Sequence, residues 1–228
     1  MTNPFYSSEQ TAQSRAVLDE VLGAVPEAIL IGGWGTWVRT GGPMSHDPID
    51  LILDRGQLAE LEGIVDDLSE SRHLAGTKWR ATWRSIHLDL YVPHQSRLGA
   101  NLQLRTERLA VHQERHDRYH VLTVPAHLAT KLAALLDRPD SLPGCKDRIE
   151  ILALLADSST VTTPRIIADA STRTADQQRV LLGKAFEFLA ADPSLNRPGR
   201  DRLRLTSNAW LRDLPTPPGV ADGPSPDL

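Results

Sequence analysis

The chain has 228 residues, of which 40% are hydrophobic and 24% charged, and a formal net charge of −4. These proportions suit a globular protein with one core, or a core and a smaller helical lobe, and they exclude disorder throughout. The acidic balance excludes a wholly basic surface but leaves room for a local basic groove, the single cysteine, Cys145, excludes an intramolecular disulfide or a thiolate metal cage, and no apolar run reaches the ~18 residues that cross a bilayer.

The N-terminus carries no charged segment followed by an apolar one, so a cytoplasmic location without a membrane partner is expected. Met1–Ser8 is polar and expected to fray. From Glu9 to Val25, Ala12, Ala16, Val17, Leu18, Val21 and Leu22 recur at helical spacing, and Pro26 stops that helix. Ala28–Ile31 reads as a short buried strand. It enters a glycine turn, Gly32-Gly33-Trp34-Gly35, and a helix is expected to start at Thr36–Arg39 and end at Gly41-Gly42-Pro43. Ile49–Leu53 is a second strand. Leu58–Leu68 reads as an amphipathic helix with Glu60, Glu62, Asp66 and Asp67 toward solvent.

Lys78–Val92 has period two: Trp79, Ala81 and Trp83, then Ile86, Leu88, Leu90 and Val92, alternate with polar residues. Two strands or one long bent strand would fit, and Pro93 ends the run. Arg108–Gln113 and Tyr119–Val124 are expected to form a hairpin about Glu114-Arg115-His116-Asp117. After Pro125 the character becomes helical, over Ala126–Leu136, Cys145–Ala156, Pro164–Ala170 and Ala175–Ala190, with Thr163-Pro164 as a cap and first helical position. From Pro215 onward the chain is too rich in proline and glycine to pack. The fold class expected is α/β of the α+β kind: a small mixed-sheet domain over 1–124, a C-terminal helical bundle over 125–212 and a disordered tail over 213–228.

Three groups of residues could carry chemistry. Glycines after a strand let backbone N–H groups approach phosphate oxygens. Asp50 and Asp89 each sit between aliphatics on a strand and point away from them, so they could meet on neighbouring strands; such a pair repels itself unless a cation lies between, and oxygen ligands suit Mg²⁺. The alternative is that both face solvent on a half-exposed sheet. Asp47 is three residues from Asp50, which opposes the two on a regular strand. Pro48 puts Asp47 in the loop before the strand, from which a bulge could return it toward Asp50, or it is an exposed turn residue. Ser45 could bond a phosphate or shape the turn.

Lys131 and Arg138, seven apart, share a helix face among alanines and leucines. A cation there needs an anion, either a triphosphate or Asp147, unless Lys131 snorkels to water. Lys146 and Asp147 open the next helix, where Asp147 would suit the N-terminal dipole. The histidines His46, His87, His94, His112, His116, His120 and His127 show no zinc pattern. Trp34 or Trp37 could stack on a base or belong to the core. Arg197, Arg200, Arg202, Arg204 and Arg212 either contact an RNA backbone or form a solvated helix face.

Gly32-Gly33, Ser45-x-Asp47, Asp50-Leu51 and Leu88-Asp89-Leu90 together resemble the nucleotidyltransferase fold of the DNA polymerase β superfamily. That pattern has its first two acids two apart, so Pro48 is a departure. The segment Val124–Arg138 followed by Lys146-Asp147 is similar to the AbiEii/MenT group of nucleotidyltransferase toxins, and the resemblance covers approximately Ile29–Leu155. It implies metal ligation by Asp47, Asp50 and Asp89 with Mg²⁺, or Mn²⁺ in its place. It further implies nucleotide binding by Gly32, Gly33, Ser45, Lys131, Arg138 and Lys146, and catalytic roles for Asp50, Asp89, Lys131 and Asp147. The implied partners are an NTP, the 3′ end of tRNA as acceptor and a cognate antitoxin of a type IV toxin–antitoxin pair. The competing expectations are the same transfer to a small molecule such as an aminoglycoside, and a degenerate domain that binds a nucleotide or a partner without turnover.

Overall fold

The structure is a computed structural model that describes residues 8–41, 48–73 and 76–214. The fold is α+β. The long N-terminal helix α1 (Ser8–Ala24) leads to β1 (Ile29–Ile31), α2 (Gly32–Thr40), β2 (Ile49–Ile52), α3 (Arg55–Glu62), β3 (Asp66–His73), β4 (Gly76–Trp83) and β5 (Ile86–Tyr91). A two-stranded ribbon, β6 (Arg97–Leu98) with β7 (Leu104–Arg105), and the short helix α4 (Thr106–Ala110) precede β8 (Gln113–His116) and β9 (Tyr119–Leu122). The helices α5 (Val124–Asp137), α6 (Leu142–Leu154), α7 (Thr163–Ala170), α8 (Ala175–Ala190) and α9 (Arg197–Asp213) follow, with a 3₁₀ turn over Ser158–Thr162.

Seven strands form one mixed sheet in the order β3-β4-β5-β2-β1-β9-β8. The β1–β9 and β2–β5 pairs are parallel, and β1–β2, β3–β4, β4–β5 and β8–β9 are antiparallel. Strand alternation gives the sheet two buried faces. Leu30, Ile49, Leu51, Leu88, Leu90 and Val121 pack with Val17, Leu18 and Val21 of α1 and with Trp34. On the other face Ile29, Ile31, Ile52, Tyr91 and Leu122 join Leu128, Leu132 and Leu135 of α5 and the helices beyond it. Asp50 and Asp89 alternate with the first set, so they lie on the face that the C-terminal helices cover rather than on a solvated one.

Several elements depart from the sequence reading. The helix expected over Leu58–Leu68 is α3, opened by a capping box between Asp54 and Gln57 and closed at Gly63. Asp66 and Asp67 then enter the edge strand β3, whose bulge between Asp66 and Ser69 hides any alternation. The period-two run is a hairpin, with Arg84 (φ 46°) and Ser85 (φ 66°) as a two-residue turn. Half of the strand expected over Arg108–Gln113 belongs to α4, and Glu114–His116, taken as part of the turn, continue from Gln113 as the strand β8. All four of its residues are exposed at the sheet edge, so no apolar alternation marks it. Helix α6 starts at Leu142 rather than Cys145, because Ser141 Oγ accepts the Gly144 N–H at 3.0 Å and Pro143 sits in the first turn. The tail from Pro215 lies outside the described residues.

Helix α9 closes the C-terminal core by inserting Leu203 and Trp210, whose ring meets Phe186 of α8 edge-on at 5.4 Å. Trp210→Ala is expected to lose ~3–5 kcal/mol of unfolding free energy. Urea titration followed by circular dichroism measures it, and a loss within experimental error would show that α9 is not part of the core.

Candidate functional site

Strand β1 ends at Ile31, and α2 begins at once with the glycines, not at Thr36 as the sequence suggested. Gly32 has φ 66°, a conformation that side-chain-bearing residues seldom adopt. A Cβ built on Gly32 would stand 2.1 Å from Asp50 Oδ2 and 2.8 Å from its Cγ. The space a side chain would take is therefore filled by the Asp50 carboxylate. Ile31, at the N-cap, gives the helix no side-chain acceptor, which leaves its first N–H groups to other oxygens.

The parallel register of β2 and β5 sets Asp50 directly opposite Asp89. Burial, and next the Asp89 charge, raise the Asp50 carboxyl to about 7, against the pull of Lys131, Lys78 and Arg138. Asp89 has cations of its own from β4: Lys78 Nζ at 2.6 Å and Arg80 Nε at 3.5 Å. The hairpin register explains this, since Arg80 stands across from Asp89 and Lys78 two residues along on the same face.

The facing wall is built by α5 and α6. Asp147 receives Lys131 Nζ at 3.3 Å and the Nε and Nη2 groups of Arg138 at 2.9 Å each. Lys131 also contacts Glu150 Oε2, and Lys146 Nζ lies 3.8 Å from Glu150 Oε1. The side chains of Lys131, Asp147 and Glu150 are 5%, 1% and 0% exposed. Lys131 accordingly does not snorkel; burial pulls its pKa down, and the charges of Glu150 and Asp147 more than offset this, so it ends raised. Lys146 is lowered to about 8, chiefly by burial. Asp147 is not at the helix start. It lies in the second turn of α6, where ion pairs rather than the dipole hold it.

Two further contacts fix the frame. His127 of α5 is fully buried, its Nε2 lies 2.9 Å from Thr36 Oγ1, and burial lowers its pKa well below the usual value, so the ring is neutral. The ring also packs on Gly35, where a Cβ would meet Cε1 at 2.7 Å. Asp137 accepts the N–H groups of Ala100 and Asn101 at 2.6 and 2.9 Å and so pins the loop after β6 to the end of α5.

Between the two walls lies a cleft of about 340 Å³ lined by Gly32, Gly33, Asp50, Asp89, Lys131, Arg138, Lys146 and Asp147. Ser45 and Asp47 lie outside the described residues. Lys78 and Tyr91 also line the cleft, and Glu150 stands behind it; the sequence reading missed all three. Lys78 looked like one more solvated strand residue, and only the hairpin register links it to Asp89. Glu150 was findable as the acid at i+4 from Lys146. The tryptophans are elsewhere: Trp34 is buried with its Nε1 donating to Ser14 Oγ at 3.0 Å, and Trp37 meets it edge-on at 5.3 Å under the Arg15 guanidinium. Tyr91 is the aromatic side of the cleft. Among the described residues no group of three or more His, Cys, Asp or Glu is placed to hold a metal ion. The arginines Arg197, Arg200, Arg202, Arg204 and Arg212 all lie on α9, whose buried residues are Leu203 and Trp210.

No protein-family model matches the chain, and no curated protein matches it. Two solved structures align with it at 11% identity. JHP933 from Helicobacter pylori aligns over 91% of this chain and 94% of its own, with a TM-score of 0.46. An antigenic nucleotidyltransferase-like protein from Paracoccidioides brasiliensis aligns over 89% of this chain and 94% of its own, with a TM-score of 0.44. Among the described residues no helix is long and apolar enough to cross a membrane.

The α5–α6 charge cluster makes its own prediction. Glu150→Ala leaves Lys131 buried with half of its counter-charge removed, and the expected loss of stability is ~3–5 kcal/mol. Arg97→Ala, at an exposed residue on the same cleft, is expected to change stability by less than ~0.5 kcal/mol. Equal effects of the two in denaturant titrations would contradict a structural role for Glu150.

Proposed function

We propose that this chain is a divalent-cation-dependent nucleotidyltransferase that moves a nucleoside monophosphate from an NTP to an acceptor hydroxyl. The carrying observation is the register pair Asp50–Asp89, set against the side-chain-free Gly32 and faced by Lys131, Arg138 and Lys146 across one cleft. Two acids brought together, where burial and the neighbouring charge raise one of them to about 7, suit a hard cation with oxygen ligands. Asp50 and Asp89 would hold Mg²⁺ or Mn²⁺, with Asp47 as a further ligand. Such an ion would supply charge neutralisation on the phosphates and activation of the attacking hydroxyl.

The chain's own residues do the rest. In the reaction the acceptor oxygen bonds to the α-phosphorus as the bond to pyrophosphate breaks. Gly32 and Gly33 leave the backbone N–H groups at the start of α2 open to phosphate oxygens, with Ser45 as an added donor. Arg138, tied on one side to Asp147 but 48% exposed, keeps its other edge for the leaving pyrophosphate. Lys131, fixed by Asp147 and Glu150, adds a positive charge that needs no reorganisation during the reaction. The acceptor in this reading is the 3′ end of tRNA, and the consequence is a block of translation held in check by an antitoxin, as the resemblance to nucleotidyltransferase toxins implies.

One observation favours a second reading. Asp89 is already paired with Lys78 at 2.6 Å, as it would be in a domain that binds nucleotide without turning it over. The test is incubation of the full chain with each α-labelled NTP, Mg²⁺ or Mn²⁺, and total tRNA, with aminoglycosides in a parallel arm. Asp50→Ala and Asp89→Ala are each expected to reduce labelling at least ~100-fold. Full labelling by both variants would rule out the metal site, and nucleotide binding without labelling of any acceptor would establish the second reading.

Binding carries a pH signature of its own. With Lys146 at about 8, its ammonium is charged below that pH and neutral above it. NTP affinity measured by calorimetry is expected to weaken as pH rises from about 7 to about 9, while Lys146→Arg keeps its affinity across that range. Parallel pH profiles for the two proteins would exclude Lys146 from phosphate binding.

A further inference from the structure

Helix α9 concentrates charge of one sign in a chain of the other. Residues Arg197–Asp213 contain Arg197, Arg200, Arg202, Arg204 and Arg212 against Asp201 and Asp213, whereas the chain as a whole has a net charge of −4. The helix turns Leu203 and Trp210 into the core. Arg197, Arg200 and Arg204 follow at i, i+3 and i+7 on an outward face. A rise of ~1.5 Å per residue spaces them ~4.5 and ~6 Å apart along the axis. Arg204 has a loose carboxylate neighbour, Asp201 at 3.7 Å, and among the described residues no ion pair joins Arg197, Arg200 or Arg202. Guanidinium groups left unpaired on an outward face complement a row of phosphates.

The turn that precedes this helix is tied to α6. Arg148 of α6 donates to Pro139 O at 2.6 Å, and its Nε lies 3.7 Å from Asp192 Oδ2. The first turns of the same helix contribute Leu142, Pro143 and Lys146 to the cleft. From Asp192 the chain reaches Arg197 in five Cα steps of ~3.8 Å, so the two Cα atoms are no more than ~19 Å apart. Asn196 caps the start of α9 by accepting the Gly199 N–H at 2.9 Å, which fixes the helix where it leaves that turn.

We propose that the exposed Arg197–Arg200–Arg204 face of α9 is a docking surface for the sugar–phosphate backbone of RNA. RNA as the occupant rests on the acceptor reading given above; the surface itself rests on the charge and exposure of its arginines. The face reads backbone, not sequence, and each arginine that no longer meets a phosphate lowers the salt dependence of binding by ~0.7–0.9 in log–log slope.

The experiment is fluorescence anisotropy of labelled tRNA with the full chain across a salt series, without NTP or divalent cation. The combined variant Arg197→Ala, Arg200→Ala, Arg204→Ala is expected to bind tRNA ~10-fold or more weakly and to lose about two units of salt slope. The matching Arg→Lys triple variant keeps the charge and is expected to bind within ~3-fold of the unaltered protein. Unchanged affinity in the alanine variant overturns the proposal. So does absence of measurable tRNA binding. Because neither NTP nor metal is present, tRNA binding by a protein that transfers no nucleotide would reject the transfer reaction and leave this surface standing.

Discussion

The Asp50 carboxylate occupies the place of a missing side chain at residue 32. That contact requires a left-handed glycine at the end of β1, an antiparallel β1–β2 register with Ile31 across from Asp50, and a helix that turns immediately away. The neighbouring parallel pair then delivers Asp89 to the same spot. Even a methyl group at residue 32 would have to displace either the acid or the start of α2. The central strands, the helix they feed and the acidic pair are therefore one geometric unit rather than separate features.

Charge balance is arranged around that unit in two different ways. On the sheet side Asp89, itself partly exposed, leans on the buried Lys78 and on Arg80, which stands mostly in water. On the helix side Lys131, Asp147 and Glu150 are almost wholly buried and satisfy one another. Removing one member of a buried set strands its partners without solvent, whereas a partly exposed pair can rehydrate. A Lys131 substitution would thus disturb folding along with the cleft, while the two strand acids report more directly on the cleft. The same set holds α5 to α6, so the helix that carries Arg138 cannot shift without moving Lys146.

Much of this was legible in the sequence, and the failures share a cause. The strand pattern about Asp50 and Asp89 showed that both point off the aliphatic face, and the resemblance to nucleotidyltransferase toxins singled out the helical lysine and the Lys146-Asp147 pair. Periodicity, however, reports which face is apolar and not what lies opposite. Nothing local in Lys78 distinguishes it from a solvated strand residue, because its partner is set by the register of a hairpin whose turn, Arg84-Ser85, carries no glycine. Most of strand β8 was read as a turn since an exposed edge strand needs no apolar residues. Helix α3 was drawn too long because acidic residues suit a helix surface and a strand edge alike. Of the two alternatives open for the tryptophans beside the glycines, the core is the one observed: Trp34 is buried on the far side of the sheet and Trp37 packs against it.

The tie between His127 and Thr36 has a consequence for how a ligand is received. It clamps the glycine-opened helix onto the helix that carries Lys131, and the Gly35 contact closes the gap between them. The two helices that border this side of the cleft are thereby joined before anything binds. A ligand entering there would not have to organise its own receptor, so little conformational entropy would be lost on association. Along the wall that these two helices make, discrimination would then come from fit rather than from closure.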